Sequence, residues 1–246
     1  MTDINNLDLI IIGSGQAAGP LAQVSASKGW SVAVVESQFA GGTCINTGCT
    51  PTKTLVASAR AAYVVRNGEK WGLGPANLLV DWLKIRRRRD DIVEEFRRGS
   101  LRGLENTEGI TYFNGRASFT APGEIEVIFE DGSKERLRGK RIVLDVGGEP
   151  VIPVVEGLAD VPWVDSAGIQ AIEELPRRLV ILGGGYIGLE FSQMFRRFGC
   201  EVAIVHRGSH LLSREDKDVA AEMEKMIASE GVEIITGAVP ESVSPD

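Results

Sequence analysis

Cys44 and Cys49 stand five positions apart in the stretch GGTCINTGCTPTK, residues 41–53, with paired glycines ahead of them and Lys53 behind. Two cysteines at that spacing can close a small disulfide ring on the first turn of a helix if the turn is slightly distorted. A helix N-terminus favours negative charge, so a thiolate released on reduction is stabilised there and the pair can store two electrons. Gly41, Gly42 and Gly48 would let the backbone approach a flat cofactor closely. Other readings of these residues stand beside that one. Cys44-x4-Cys49 with His206-x3-His210 has a superficial likeness to zinc-ligand spacing, although the histidines lie far along the chain. Two inert buried cysteines would need no cofactor at all. Cys200, opening an apolar run after Gly199, reads as a core residue. With two histidines close together and no G-x-S-x-G elbow, a serine-hydrolase triad has little support.

The elements that would position such a pair are written twice. LIIIGSGQAAGPLAQVSASKGWSVAVVES from Leu9 and LVILGGGYIGLEFSQMFRRFGCEVAIVHR from Leu179 align without a gap at an offset of 170 residues. Each is an apolar run, a glycine-rich turn, a helix-length stretch closed by Gly29 or Gly199, and a second apolar run. Strand, tight turn, helix, parallel strand is the dinucleotide-binding βαβ unit, in which the glycines permit the turn and let backbone N–H groups approach a pyrophosphate. The first copy offers Gly13, Gly15 and Ala18, the second Gly183, Gly185 and Gly188. Glycines that merely tighten βα turns are the plainer alternative. The end of the second strand, about 20 residues after the turn, should carry the group that reads the adenosine ribose. That place is held by Glu36 in the first copy and by His206, followed by Arg207, in the second. A carboxylate suits ribose hydroxyls and a cation suits a 2′-phosphate, so the second site leans towards NADP(H), with NAD(H) possible.

Residues 52–105 read as helical with Pro51 near the start, interrupted by Gly68, Gly72 and Gly74. ITYFNGRASF, EIEVIFE and RLRGKRIVLDV then read as strands around the turn Asp131-Gly132. Pro150, Pro153 and Pro162 mark a boundary. The expected fold is therefore α/β: two Rossmann-like, three-layer dinucleotide-binding domains, 1–149 and 150–246, with a small antiparallel β insertion. A formal charge of -7 argues against a general nucleic-acid or anionic-membrane binder and leaves small molecules as partners. The basic run Arg86–Arg89 is followed by Asp90, Asp91, Glu94 and Glu95, which suits a solvated helix face. No stretch approaches the roughly 20 apolar residues that span a bilayer, LDLIII lacks a basic flank and a cleavage site, and three cysteines suit no secreted scaffold, so a cytoplasmic protein is expected.

GGTCINTGCTPTK closely resembles the redox motif of the class I pyridine nucleotide-disulfide oxidoreductases, and the resemblance extends over the chain. GSGQAA with Glu36, NGRASF with Gly115, LDVGGEPVIP with Gly147, and GGGYIGLEF follow in that family's order. CTPTKTLVASAR and FRRFG look most like the mercuric reductase branch. The resemblance implies FAD in the first domain and NADPH in the second. It implies that Gly13, Gly15, Ala18 and Glu36 hold the ADP half of FAD, and that Gly42, Thr43 and Lys53 lie beside the flavin. Gly115 and Gly147 join the cofactor-binding set. Cys49 would be the flavin-side thiol and Cys44 the one that exchanges with a disulfide or metal-ion acceptor. Lys53 is expected to pair with Glu190, and Tyr186 to cover the nicotinamide pocket; an ordinary exposed helix face is the alternative for Tyr186 and Glu190. Gly183, Gly185, Gly188, His206 and Arg207 would serve the nicotinamide nucleotide, although NADP-dependent relatives often have alanine in place of Gly188. Relatives of this kind are longer and homodimeric. Their Gly-Asp flavin segment, C-terminal dimerisation domain, catalytic histidine and second cysteine pair have no counterpart in these 246 residues, so the chain is expected to be an N-terminal portion. The rival functions are a nucleotide-binding chain without turnover of its own, and a flavin oxidase or monooxygenase that does not use the disulfide.

Overall fold

A computed structural model describes residues 5–74 and 77–244. The chain divides into two compact units, Met1–Pro51 with Asp90–Glu149, and Thr52–Arg89 with Pro150–Asp246.

The first unit holds β1 (Asn5–Leu7), β2 (Leu9–Ile12), α1 (Ala18–Ser27), β3 (Val32–Glu36), the short α2 (Gly42–Asn46) and the start of α3 (Cys49–Arg66). It continues with the later part of α4 (Trp82–Glu105), then β4 (Ile110–Asn114), β5 (Arg116–Ala121), β6 (Glu124–Ile128), β7 (Lys134–Gly139) and β8 (Ile142–Leu144). A parallel sheet runs in the order β4-β3-β2-β8. Its two central strands are apolar up to Glu36 at the end of β3 because both faces are covered. Alternate side chains point to opposite faces. Leu9, Ile11, Val32 and Val34 pack with Ala18 and Ala22 of α1 and Leu104 of α4. Ile10, Ala33 and Val35 pack against Ile125, Val127 and Leu137 of the second sheet. That sheet, β1-β7-β6-β5, is antiparallel except at β1, which lies parallel to β7.

RLRGKRIVLDV, read as a strand, is divided between these sheets, with β7 ending at Gly139 and β8 starting at Ile142. The N-terminal run breaks at Asp8, whose carboxylate accepts hydrogen bonds from the Ser31 N–H and hydroxyl and from Lys140, so residues 5–7 join one sheet and 9–12 the other. ITYFNGRASF likewise breaks at Gly115, where a Cβ would lie 2.7 Å from Val127 Cγ1 and 2.8 Å from the Ile128 carbonyl oxygen.

The second unit contains β9 (Arg178–Leu182), α5 (Tyr186–Phe198), β10 (Glu201–His206), α6 (Lys217–Ser229) and β11 (Glu233–Thr236), its parallel sheet ordered β11-β10-β9. Phe191, Met194, Phe195 and Phe198 of α5 form the core with Leu55 and Ala59 of α3 and Trp82 of α4. The Trp82 ring lies 5.9 Å from that of Phe195 and 5.6 Å from that of Phe198, and its N–H donates to the Ile172 carbonyl at 3.0 Å. Residues 52–89 cluster in the second unit because their apolar side chains complete its core.

A part-buried ion pair ties α5 to the end of α6. Glu230 accepts from Arg197 Nε at 2.7 Å and Nη2 at 2.6 Å, and from Gln193 at 2.8 Å, with the two charged side chains only 9% and 13% exposed. Removing one partner strands a part-buried charge, so Glu230→Gln should destabilise this unit by about 3 kcal/mol. Thermal unfolding followed by circular dichroism checks this.

Candidate functional site

The first nucleotide loop follows β2. Gly13 has φ +97, and a Cβ there would sit 2.0 Å from the Asp145 carbonyl oxygen at the end of β8. At the end of β3, Glu36 is buried, and its Oε2 accepts from the Ser14 N–H at 3.0 Å and the Ser14 hydroxyl at 2.7 Å. The Gly115 N–H donates to the Glu36 carbonyl at 2.8 Å, which fixes β4 beside the same strand end. Tyr112 on β4 has its phenol pushed up to about 12, chiefly by burial and then by the charge of Glu36.

The same loop supports the cysteine motif. The Gly41 N–H reaches the Ser14 hydroxyl at 3.2 Å, and a Cβ on Gly42 would lie 2.6 Å from the Gly15 Cα. Thr43 and Gly147 are neighbours as well, since a Cβ on Gly147 would meet the Thr43 hydroxyl at 3.7 Å. The expected distortion of the helix start is a full break. Cys44 lies on the five-residue α2 and Cys49 opens α3, with Thr47 and Gly48 between them outside both helices. A helix that short does not hold itself. Asn46 fixes it, its side-chain amide donating to the carbonyls of Phe39, Ala40 and Gly42, while its oxygen accepts from Arg97 at 2.8 Å and Arg97 stacks on Phe39.

All three cysteines are free thiols, Cys44 half-buried, Cys49 exposed and Cys200 buried. The Cys200 thiol is pushed up to about 11 by burial, which keeps it unreactive in the core. Cys44 also titrates above the ordinary thiol value, first because its side chain hydrogen-bonds to that of Cys49, then through burial. The Cys49 backbone N–H acts in the opposite sense on Cys44. Because thiolate is the reactive form, alkylation of Cys44 in the reduced chain should reach its half-maximal rate at a pH above that of a free thiol. Cys49→Ala should lower that midpoint, read by iodoacetamide labelling and mass spectrometry across a pH series.

In the second unit Lys53, one turn into α3 from Cys49 in sequence, pairs with Glu190 of α5. With Lys53 65% exposed this pair adds little stability. It lines a cavity of about 340 Å³ with Tyr186, Val56, Met194 and Arg197, and Tyr186 is 75% exposed. His206 repeats the role of Glu36. Its Nδ1 accepts the Gly184 N–H at 3.2 Å, as Glu36 accepts the N–H of Ser14, 170 positions earlier. The Nε2 of His206 is buried without a hydrogen-bond partner among the described residues, while Arg207 is exposed. A Cβ on Gly188 would lie 2.2 Å from the Gly183 carbonyl oxygen, so α5 packs against its loop at glycine distance.

Sequence reasoning missed Ser14, Asn46, Arg97 and Asp145. Ser14, Asn46 and Asp145 lie inside the quoted motifs, whereas nothing local marks Arg97. Among the described residues, no group of three or more His, Cys, Asp or Glu side chains is placed to hold a metal ion, and no helix is long and apolar enough to cross a membrane.

Two glycine-rich βα loops, the first beside a cysteine pair, mark the class. Residues 7–246 match the family described as pyridine nucleotide-disulphide oxidoreductase, and the chain belongs to that family. It is 36% identical over 244 residues to the probable pyridine nucleotide-disulfide oxidoreductase RclA of Escherichia coli K12, covering 98% of this chain and 51% of that protein. It is 34% identical over 230 residues to the mercuric reductase of Streptomyces lividans, covering 93% of this chain and 48% of the other. A solved structure, the Cu(II) complex of the HOCl-induced flavoprotein disulfide reductase RclA from Escherichia coli, superposes with a TM-score of 0.86 at 34% identity, covering 99% of this chain and 52% of that one. The chain spans about half the length of these relatives.

Proposed function

We propose that this chain carries the electron-entry part of a cytoplasmic flavoprotein disulfide reductase, in which electrons from NADPH reach the Cys44–Cys49 pair and pass to a disulfide or metal-ion acceptor. The observation that carries this reading is that Cys44 and Cys49, which flank the break between α2 and α3, share one compact unit with the Gly13 loop and Glu36. The first loop suits a dinucleotide in its strand, turn and helix order, with Gly13 at positive φ and Glu36 closing the strand end. FAD, when bound, would supply the two-electron chemistry that links hydride to thiols.

Residues 1–149 and 150–246 are the proposed flavin and nicotinamide regions. Gly13, Gly15, Ala18 and Glu36 would hold the ADP half of FAD, with Gly42, Thr43, Lys53 and Gly147 on the flavin side and Gly115 acting through its bond to Glu36. In the reduced pair, the Cys44 thiolate attacks one sulfur of an acceptor disulfide and expels the other as thiolate; Cys49 then attacks Cys44, closes the Cys44–Cys49 disulfide and expels the second. Two electrons leave the pair and two enter the acceptor. Lys53, paired with Glu190, offers a positive charge to a reduced ring. Gly183, Gly185 and Gly188 would face the nicotinamide nucleotide under Tyr186. The latch on Gly184 occupies His206, so Arg207 is the group proposed to meet a 2′-phosphate.

Titration with FAD while following flavin fluorescence, then anaerobic mixing with NADPH or NADH and a disulfide, Hg(II) or Cu(II), tests the reading. Saturable FAD binding and faster oxidation of NADPH than NADH are expected; failure to bind FAD defeats it. Because the chain spans half of its relatives, the 246-residue chain and a full-length parent should be compared. Turnover confined to the parent favours a nucleotide-binding chain that depends on a further segment.

A further inference from the structure

In a dinucleotide loop the second glycine is bare so that a pyrophosphate can approach the N-terminus of the following helix. In the first unit that space is taken. A Cβ on Gly15 would lie 2.8 Å from Oδ2 and 3.1 Å from Oδ1 of Asp145, and Oδ2 accepts the Ala18 N–H at 3.0 Å. α1 has no acidic residue in its first turn and no side-chain cap of its own, so Asp145 brings a carboxylate to its positive end from the end of β8. The second unit provides the comparison, because a Cβ on Gly185, 170 positions later, would have no neighbour within 4 Å. One loop is open where the other holds a carboxylate.

We propose that Asp145 is an internal competitor for the anion site of the first loop. A pyrophosphate and this carboxylate are like charges directed at the same helix N-terminus, so a dinucleotide settles there only as Asp145 withdraws from the Ala18 N–H. The affinity of the loop for FAD is thereby held below what its glycines and Glu36 would give. This inference rests on the FAD reading above, which it deepens by naming the residue that sets affinity.

Asp145→Asn separates charge from shape, because the amide oxygen can still accept the Ala18 N–H. FAD, ADP and riboflavin are titrated into the full 246-residue chain and the variant, by flavin fluorescence or calorimetry, at low and high salt. The variant should bind FAD and ADP at least about fivefold more tightly, the gain shrinking with salt as expected of a charge effect. Riboflavin, which lacks the pyrophosphate, should bind the two chains equally. Asp145→Ser, a shorter neutral acceptor, repeats the comparison should the Asn chain fail to fold. Equal or weaker FAD binding by the neutral variants overturns the proposal while leaving the FAD reading intact, and so does an equal gain for riboflavin. Binding of FAD and ADP by none of the chains overturns both.

Discussion

Cys49→Ser in a full-length parent should abolish NADPH-driven disulfide reduction, with a loss of at least about 10³-fold in kcat, in the range for removal of a nucleophile that acts as part of a unit. Serine matches the shape of cysteine and cannot form the disulfide. FAD binding and protein stability should be nearly unchanged, because Cys49 is exposed at the first position of α3 and supports no core. Cys44→Ser should lose the same turnover with a different spectrum. If Cys49 is the flavin-side thiol, the thiolate-to-flavin charge-transfer band survives in Cys44→Ser and vanishes in Cys49→Ser. Persistence of that band without Cys49 would refute the assignment, and wild-type turnover in Cys44→Ser would point to a flavin oxidase that needs no disulfide.

The second large effect is steric. Gly13→Ala would place a methyl 2.0 Å from a backbone oxygen at φ +97, where neither partner can yield cheaply. A destabilisation of about 3–5 kcal/mol and loss of FAD binding are expected. Gly188→Ala puts its methyl 2.2 Å from the Gly183 carbonyl oxygen, so α5 must move off its loop, and NADPH binding should fall by at least about tenfold. The contrast lies within the molecule: Ala18, the same place in the first copy, is an alanine with no exposed surface, so α1 already stands at alanine distance. Calorimetric melting and NADPH titration of the two variants check both arms. An unchanged melting midpoint for Gly13→Ala would mean that β8 is less firmly placed than its hydrogen bond to Ile12 indicates.

Much of this was legible because the chemistry dictates residue type at fixed spacing. The two glycine loops, the strand ends at Glu36 and His206, and the Lys53–Glu190 pair follow from an offset of 170 residues and from the family resemblance. What escaped depends on distant partners. Asp8 interrupts one apolar run because Ser31 and Lys140 satisfy it, and Gly115 sends one strand into two sheets because Val127 and Ile128 leave no room for a side chain. The packing of Leu55, Ala59 and Trp82 on the aromatic face of α5 is likewise written in no local pattern. Arg97 and Asp145 act across gaps of 51 and 127 residues, which no local pattern records.

The break between α2 and α3 bears on how often the cysteine pair can cycle. Closing it draws the two sulfurs together to a bond of about 2.05 Å, and reopening reverses the movement. Within one continuous helix each cycle would bend the ladder of backbone bonds. Here Thr47 and Gly48 lie outside both helices and provide slack, while Asn46 clamps one side through three carbonyls and α3 steadies the other. The joint therefore behaves as a spring with fixed ends, and oxidation and reduction should leave neighbouring backbone amides equally protected from hydrogen exchange.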